Sequence, residues 1–553
     1  GNDWTPTNFS VAAGTGNDSL EDTPTNNFAT LNKLYPNGTG DAGPFAQGNL
    51  HFTDDGGYGM AMATLPVQNG KYYWEVIPTS ASSVLCHGIA KGTNCGDGTY
   101  VGYDPNGNVP GFGWQQNGHI YGVSGTGATD GSTITTGQTT YTTNDVLGFA
   151  SDIPNGTLKF YKAGTLVYTV TGINDGLWFP AVSSYGSNTC FVNFGQRAFS
   201  HQVDGYKALR TANLNDPGVN IANEHFKVVA YTGNATDDRS LTVGFQPNLT
   251  VLKQRDTSKN WYWYDSIRGA NKQLVTNGTS AEAEYTDRMQ AFESNGIQLG
   301  TSSEVNNNNS TYINYNWLAG ASTSANTDGS INSTVSVNAT AGFSIVSWTG
   351  SGANATIGHG LGTTPSYIMV KNRADTASFL VRHQDQAANA TVSFDNTSAA
   401  WTTDYWNTSS ETRNSTVFSV SSNNESNGSS DAMIAYCFAE VEGYSKFGTY
   451  IGNGGAGNGS FVYTGFSPEF VTIKRATGAD SWYTYDGIRD PMNPLDTALF
   501  FNDSSADYTH ALLSIDFLAN GFKLKATTSG LSNSERYIYF AFARTPFKYS
   551  TAR

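Results

Sequence analysis

The residues able to do acid–base or nucleophilic chemistry are scattered through this chain. Its eight His are His51, His87, His119, His201, His225, His359, His383 and His510. No H-E-x-x-H, G-x-S-x-G or G-x-x-x-x-G-K-[ST] spacing frames a nucleophile, a zinc pair or a phosphate loop. A glycosidase needs only two carboxylates about 5–9.5 Å apart in space. The 45 Asp and Glu therefore leave a glycan depolymerase as an alternative without marking its residues. The expectation is a non-enzyme with no catalytic residue and no cofactor. Of the four Cys, Cys86, Cys95, Cys190 and Cys437, none forms a C-x-x-C, which argues against structural zinc. Cys86 and Cys95 either pair across a hairpin or are buried as small apolar groups. Asp104, Asn106 and Asn108 offer oxygen ligands at alternating positions. The loop lacks the Gly and the bidentate Glu of an EF-hand, so a plain turn is the favoured reading and no metal is expected.

Binding chemistry is better represented. Trp114, His119 and Tyr121 bracket Asn117-Gly118, and Trp178 stands on a neighbouring strand. Aromatic rings stack on sugar faces, and amides and hydroxyls bind sugar hydroxyls without charge. These four are the ligand-binding candidates; the competing reading places them in the core. Asn-x-Ser/Thr triplets recur, with Asn234, Asn277, Asn338, Asn396 and Asn458 as glycosylation candidates. Their competing reading is that Asn, Ser and Thr jointly fill turns.

Composition limits what can position these groups. The 553 residues carry a net charge of −15, and charged residues are 14%, against about 25% in an average globular protein. Aromatics at 13% exclude a disordered chain. Few basic runs exclude nucleic acid as a partner, and no apolar run is long enough for membrane insertion. The first residue is Gly and no signal peptide is visible, so a longer upstream region is expected. Short alternating strands bounded by Gly, Asn and Asp run throughout, as in Lys71-Tyr-Tyr-Trp-Glu-Val-Ile77, which predicts an all-β chain.

Three segments share an order of features. A strand ends in an aromatic-Thr-Gly corner: Tyr231–Gly233, Trp348–Gly350 and Tyr463–Gly465. A Pro then leads, at constant spacing, to a Lys: Pro247 to Lys253, Pro365 to Lys371, Pro468 to Lys474. An aromatic strand follows, Trp261–Asp265 and Trp482–Asp486, with Phe379–His383 as the divergent copy. Polar turns begin at Asn277, Asn396 and Asn502. Asn-Gly pairs come next, at Asn295, Asn427 and Asn520. Apolar strands close each copy, Tyr312–Trp317, Met433–Ala439 and Tyr537–Ala543. The spacing of roughly a hundred residues suits one β-sandwich per copy, not a solenoid turn. In Trp261-Tyr-Trp-Tyr264 the Trp side chains share one face and the Tyr the other.

Residues 71–195 resemble a SPRY domain. Tyr73-Trp74-Glu75, Gly113-Trp114 with Asn117-Gly118, Asp145-Val-Leu-Gly148, Asn155-Gly-Thr-Leu-Lys-Phe-Tyr161, Trp178-Phe-Pro-Ala181 and Asn193-Phe-Gly195 follow that family's order; Ala163-Gly164 stands where its second Asn-Gly would be. The resemblance implies a bent β-sandwich that binds through loops and does not catalyse. The whole layout is similar to large virion proteins of marine tailed phages. Gly1-Asn-Asp-Trp4, Asp22–Asn26, Ala435–Val441, Gly443–Gly448 and Thr551-Ala-Arg553 carry the likeness. It implies a structural or adhesive role on a virion.

The expected architecture is tandem β-sandwich (jelly-roll or SPRY-like) domains in an elongated multidomain chain. It comprises a strap over 1–49, a SPRY-like sandwich over 50–196, a linker over 197–225, repeats over 226–320, 343–441 and 442–553, and a linker over 321–342. The expected function is a non-enzymatic, extracellular virion surface protein, a tail fibre or similar appendage. Its expected partners are copies of itself, other virion proteins and a host surface glycan or protein. The alternative is a structural assembly protein forming a capsid decoration or extracellular filament.

Overall fold

The structure is a computed structural model describing residues 26–35, 45–54, 56–91, 100–103, 111–122, 132–173, 176–454, 459–525 and 529–549. Asp104, Asn106, Asn108, Cys95 and Asn458 lie outside the described residues. The chain divides into two compact units, Gly1–Asn215 with Thr551–Arg553, and Asp216–Ser550. Both are built of antiparallel β-sandwiches.

In the first unit a seven-stranded sheet runs His51–Thr53, Thr189–Asn193, Lys71–Ser80, Leu147–Asp152, Thr157–Lys162, Thr165–Thr171, with Lys207–Ala208 added parallel to Lys71–Ser80. The second sheet orders Tyr58–Met62, Phe179–Tyr185, Val84–Ala90, Gly111–Gln115, Ile120–Gly122 and Ser132–Thr135. Trp74 stacks on Phe149 at 5.4 Å and Trp114 packs on Phe160 at 6.1 Å. Burial of such rings supplies about 1.5–3 kcal/mol each.

The boundary between the two units falls inside the expected linker over 197–225, and the start of that segment is fastened to the first unit. Buried Glu75 accepts the backbone N–H of Ser200 (3.0 Å) and of His201 (2.7 Å), and Asn193 Nδ2 donates to the Arg197 carbonyl (3.1 Å). Side-chain-to-backbone bonds fasten this segment, so it carries no apolar alternation to read. Of the expected strap over 1–49, the described Phe28, Ala29 and Leu31 are buried, and Ala29 N–H donates to the Leu209 carbonyl (2.9 Å). They are packed parts of the same unit.

The second unit holds the three repeats. The large sheet of the first orders Phe226–Thr232, Thr311–Trp317, Leu249–Gln254, Trp261–Asp265, Lys272–Val275, Ala283–Glu284. The third matches it strand for strand with Ser445–Ile451, Arg536–Pro546, Phe466–Arg475, Trp482–Asp486, Thr497–Phe500, Tyr508–Thr509. The second matches the first five of these strands with Phe343–Thr349, Ala432–Phe438, Tyr367–Asn372, Leu380–His383, Val392–Ser393, and adds Ser324–Asn326 and Ser333–Asn338 beside Phe343–Thr349. The expected linker over 321–342 therefore contains two strands. Ser333-Thr-Val-Ser-Val-Asn338 does alternate, but with Ser336 buried rather than exposed.

Two repeated features change register. Gly233, Gly350 and Gly452 are the equivalent corners: their N–H groups donate to Ser310, Asp431 and Glu535 carbonyls at 2.8, 2.8 and 3.0 Å. Tyr463–Gly465 instead ends a strand of the small sheet. Asn295-Gly296 and Asn520-Gly521 are hairpin turns of small sheets, whereas Asn427-Gly428 ends the short helix Asn424–Asn427.

Each repeat packs a small sheet on one face of its large sheet. The other face enters a core common to all three. Trp261 and Trp263 belong to that common core, while Tyr262 and Tyr264 face Leu241, Ile297 and Val305 within their own repeat. The common core closes as a cycle. Lys253 Nζ donates to the Ser504 carbonyl of the third repeat (3.1 Å), Lys371 Nζ to Thr279 of the first (3.1 Å), and Lys474 Nζ to Thr397 of the second (3.0 Å). The same carbonyls accept the N–H of Lys259, Ala377 and Asp480 at 2.9, 2.9 and 2.8 Å. Trp317, Phe438 and Phe542, one from each repeat, form a triangle of rings with centroids 6.3, 5.7 and 5.9 Å apart. The unit is a covalently joined pseudo-threefold trimer.

Candidate functional site

The site begins with two glycines on the second sheet of the first unit. Gly113 has no side chain, and a Cβ there would overlap the Val101 carbonyl oxygen. Gly102 adopts φ +80°, a conformation that glycine takes without strain. Together they let residues 100–103 lie flat against the sheet. Val101 N–H is held by Ser183 Oγ (2.9 Å), and Cys86 Sγ donates to the Val101 carbonyl (3.1 Å). Burial raises the Cys86 thiol's pKa, which keeps it protonated as that donor.

This anchorage sets five tyrosines side by side. Tyr100 stacks on Tyr103 at 4.8 Å, and Tyr121 meets them edge-on at 5.6 and 5.7 Å. Tyr58 lies 6.5 Å from Tyr100 and 4.5 Å from Tyr185, its cross-strand partner. Tyr58 is 38% and Tyr185 44% exposed. The Tyr121 hydroxyl donates to Gln115 Oε1 (3.1 Å) and lies 3.1 Å from His119 Nδ1. Burial first, then neighbouring tyrosines, raises the phenol pKa of Tyr100, and burial raises that of Tyr121. Both hydroxyls stay neutral.

Of the four ligand candidates, His119 stands at this face and Tyr121 packs beneath it, itself buried. Trp114 does not: it is fully buried, its Nε1 donates to the Thr139 carbonyl (3.1 Å), and it packs on Tyr141. Trp178 is also buried, with Lys91 Nζ 4.6 Å over its ring. Tyr58, Tyr100, Tyr103 and Tyr185 were missed. The available signal was tyrosine beside a turn glycine, in Tyr100-Val-Gly-Tyr103 and Tyr185-Gly186.

The candidate glycosylation residues serve turns. Asn277 Oδ1 accepts the Trp261 N–H (2.9 Å) and its Nδ2 donates to Asn260 (2.8 Å). Asn338 Nδ2 donates to the Leu318 carbonyl (3.2 Å) and Oδ1 accepts Ala341 N–H (3.0 Å). Asn234 and Asn396 accept from Thr236 and Ser398 backbone N–H groups. At Asn234 and Asn396 the Thr or Ser of the triplet is thus the third residue of a side-chain-capped turn. Among the described residues no three His, Cys, Asp or Glu gather as a metal site, and no helix is long and apolar enough to cross a membrane.

Comparison with known proteins agrees with this division. Residues 71–197 match the SPRY domain profile. The crystal structure of a TRIM65 PSpry domain is 15% identical, with 30% of this chain and 91% of that one covered, at TM-score 0.23. The SPRY domain of human HERC1 is 14% identical over 32% and 99%, at TM-score 0.23. Stonustoxin is 16% identical over 30% and 27%, at TM-score 0.22. No curated protein matches the sequence. Residues 222–546, more than half of the chain and nearly all of its three-repeat unit, match the profile described as Domain of unknown function (DUF7483), and the chain belongs to that family.

Proposed function

We propose that the chain is a non-enzymatic recognition protein of a virion surface, a tail fibre or similar appendage. Its SPRY domain contacts a host surface glycan or protein, and the three-repeat unit is a stiff mount. The observation that carries this reading is the tyrosine face. Tyrosines bring large contact area at low cost in side-chain entropy, and here two half-exposed rings adjoin three more. The virion setting is supported by the likeness of the full sequence pattern to marine phage virion proteins. Copies of the chain and other virion proteins are its proposed partners in assembly. The test is binding of the intact protein to host cells, with Tyr58→Ala and Tyr185→Ala as variants. Both are expected to weaken binding about tenfold or more, with an unchanged thermal melt. Equal binding by wild type and variants would overturn the reading.

The closed cycle of repeats favours a second reading, a structural assembly protein of a capsid decoration or extracellular filament. Electron microscopy of the purified protein decides: an ordered lattice that buries the tyrosine face supports assembly over recognition.

A further inference from the structure

The three repeats treat their equivalent outer sheet edges differently. In the second repeat the segment Ser324–Asn338 lies along both sheets as an arm. Thr334 and Ser336 pair with Ser347 and Ile345 of the large sheet. On the small sheet, Ile331 N–H donates to the Thr356 carbonyl (3.2 Å), Thr356 N–H to Ser330 Oγ (2.9 Å), and Ser333 Oγ to the Gly358 carbonyl (2.7 Å). In the third repeat, side chains close the large-sheet edge. Phe447 N–H donates to Glu440 Oε1 (3.0 Å), and Gln384 Nε2 donates to the Phe447 carbonyl (2.6 Å). Its small-sheet strand Phe461–Tyr463 is buried.

The first repeat has neither device. Leu318 and Gly233 N–H groups donate to the His225 and Ser310 carbonyls, which fixes the phase of the ladder. The odd residues of Phe226–Thr232 therefore face Thr311–Trp317, and the even ones turn outward. Val243 N–H donates to the Asn295 carbonyl, which likewise turns Ser240 and Thr242 outward on Arg239–Thr242. Ala230, Thr232, Ser240 and Thr242 are exposed, and their backbone groups have no hydrogen-bond partner among the described residues. Ala230, Ser240 and Thr242 are the equivalents of Ser347, Thr356 and Gly358, the positions that hold the arm. We propose that this open side of the first repeat takes an extended Ser/Thr-rich segment of a partner polypeptide, added as a strand in the manner of the arm. This is a contact on the three-repeat unit, and it does not depend on the tyrosine face. An open edge offers N–H and carbonyl groups in alternation, which another extended backbone matches along its length. The Ser330 and Ser333 hydroxyls set the preference for Ser or Thr. A Cβ on Gly358 would overlap Asn326 Oδ1, and Thr242 carries one, so the incoming segment needs Gly or Ala where the arm has Asn326. Phe226 and Val228 are buried, which confines pairing to the four exposed residues and keeps the segment short.

The experiment titrates the intact chain into a fluorescein-labelled peptide of residues 324–338 carrying Asn326→Gly. Fluorescence anisotropy is expected to show saturable binding. Amide exchange should slow over residues 226–243 and stay unchanged over 343–358. Ala230→Pro with Thr242→Pro removes two outward N–H groups, a change that edge strands tolerate, and should weaken binding about tenfold. If that variant fails to fold, the exchange footprint on the wild-type chain decides alone. Absence of saturable binding overturns the proposal. So does slowed exchange over 343–358 without any over 226–243, because the peptide then only replaces the chain's own arm. Sedimentation showing a dimer that Ala230→Pro abolishes would make a second copy the occupant, and that also overturns it.

Discussion

At the scale of single residues, the interior holds groups that fit only one charge state. Neither ring nitrogen of His87 has a hydrogen-bond partner among the described residues, and the ring stacks on Tyr141 at 5.8 Å. Burial pushes its pKa down to about 3. His383, in the second repeat, is likewise pushed to about 3 by burial. Each is neutral when folded and takes up a proton near pH 6.5 when unfolded, so the unfolded state binds more protons between those values. Stability is therefore fully present above about pH 6.5 and falls as pH drops toward 3. By pH 5 the loss is about 2 kcal/mol for a single such His. Denaturant melts at pH 7 and pH 5 should show this loss, and His87→Phe, which keeps the stack and cannot protonate, should reduce it for the first unit. An unchanged difference in that variant would mean that other groups carry the acid sensitivity. Residue identity also limited what the sequence could reveal of the site. His119 and Tyr121 stand out beside an Asn-Gly turn, but Trp114 reads the same way and is core. Tyr58, Tyr100 and Tyr185 converge from three separate segments, and no local spacing encodes a meeting across strands.

At the scale of elements, the three junctions of the cycle share a backbone and differ in side chains. The buried pairs Asp265–Arg268 and Asp486–Arg489 each accept a tyrosine hydroxyl from the next repeat: Tyr436 to Asp265 and Tyr315 to Asp486, both at 2.8 Å. Their outer rims carry ion pairs, Arg373–Glu282 and Arg255–Asp507, each at 2.8 Å. At the junction of the second and third repeats, His383 and Gln386 replace the pair, Phe540 replaces the tyrosine, and Ala400 meets Ala476. The carboxylate and its hydroxyl partner are lost together, as expected if either alone is costly in a dry core. Tyr315→Phe should therefore cost about 1–2 kcal/mol, because it removes a hydrogen bond to a buried charge. Phe540→Tyr is expected to cost nothing or to stabilise by about 1 kcal/mol. By the threefold equivalence its hydroxyl faces the His383 ring. Urea midpoints measure both; a clear loss in Phe540→Tyr would show that the third junction is not equivalent. The repeats, their strands and the Lys–turn features were legible in the sequence because each is local. That Lys253 reaches Ser504 rather than a turn of its own repeat was not, because three copies of one pattern look alike whether partners lie within a copy or between copies. The strand Ser333–Asn338 was read as linker because its buried positions are Ser as well as Val.

At the scale of the whole repeat unit, the cycle determines how it unfolds. Beads joined by linkers would melt one by one, each on its own core. Here the large sheet of every repeat gives one face to its own small sheet and the other to the common core, so no repeat can lose its inner face without exposing its neighbours'. Two of the junctions are tied by chain connections, and the third is closed only by contacts between the first and third repeats. The strap before the first repeat adds to those ties: buried Val219 and Ala222 join the common core, and Gly218 N–H donates to the Glu442 carbonyl (2.9 Å) between the second and third repeats. Short connections raise the effective concentration of the joined faces, so ring closure costs less than assembly of three free chains. Trp482 tests the coupling. It stacks on Phe394 of the second repeat at 4.4 Å and donates Nε1 to the Ser393 carbonyl (2.7 Å). Trp482→Ala should remove about 3–5 kcal/mol. If the common core makes the unit cooperative, hydrogen exchange must quicken alike in strands Trp261–Asp265, Tyr367–Asn372 and Phe466–Arg475, and calorimetry must show one repeat-unit transition at lower temperature. Faster exchange confined to the third repeat, with the first two unchanged, would mean that the repeats unfold as separate sandwiches and that the aromatic triangle at the axis only touches, without coupling them.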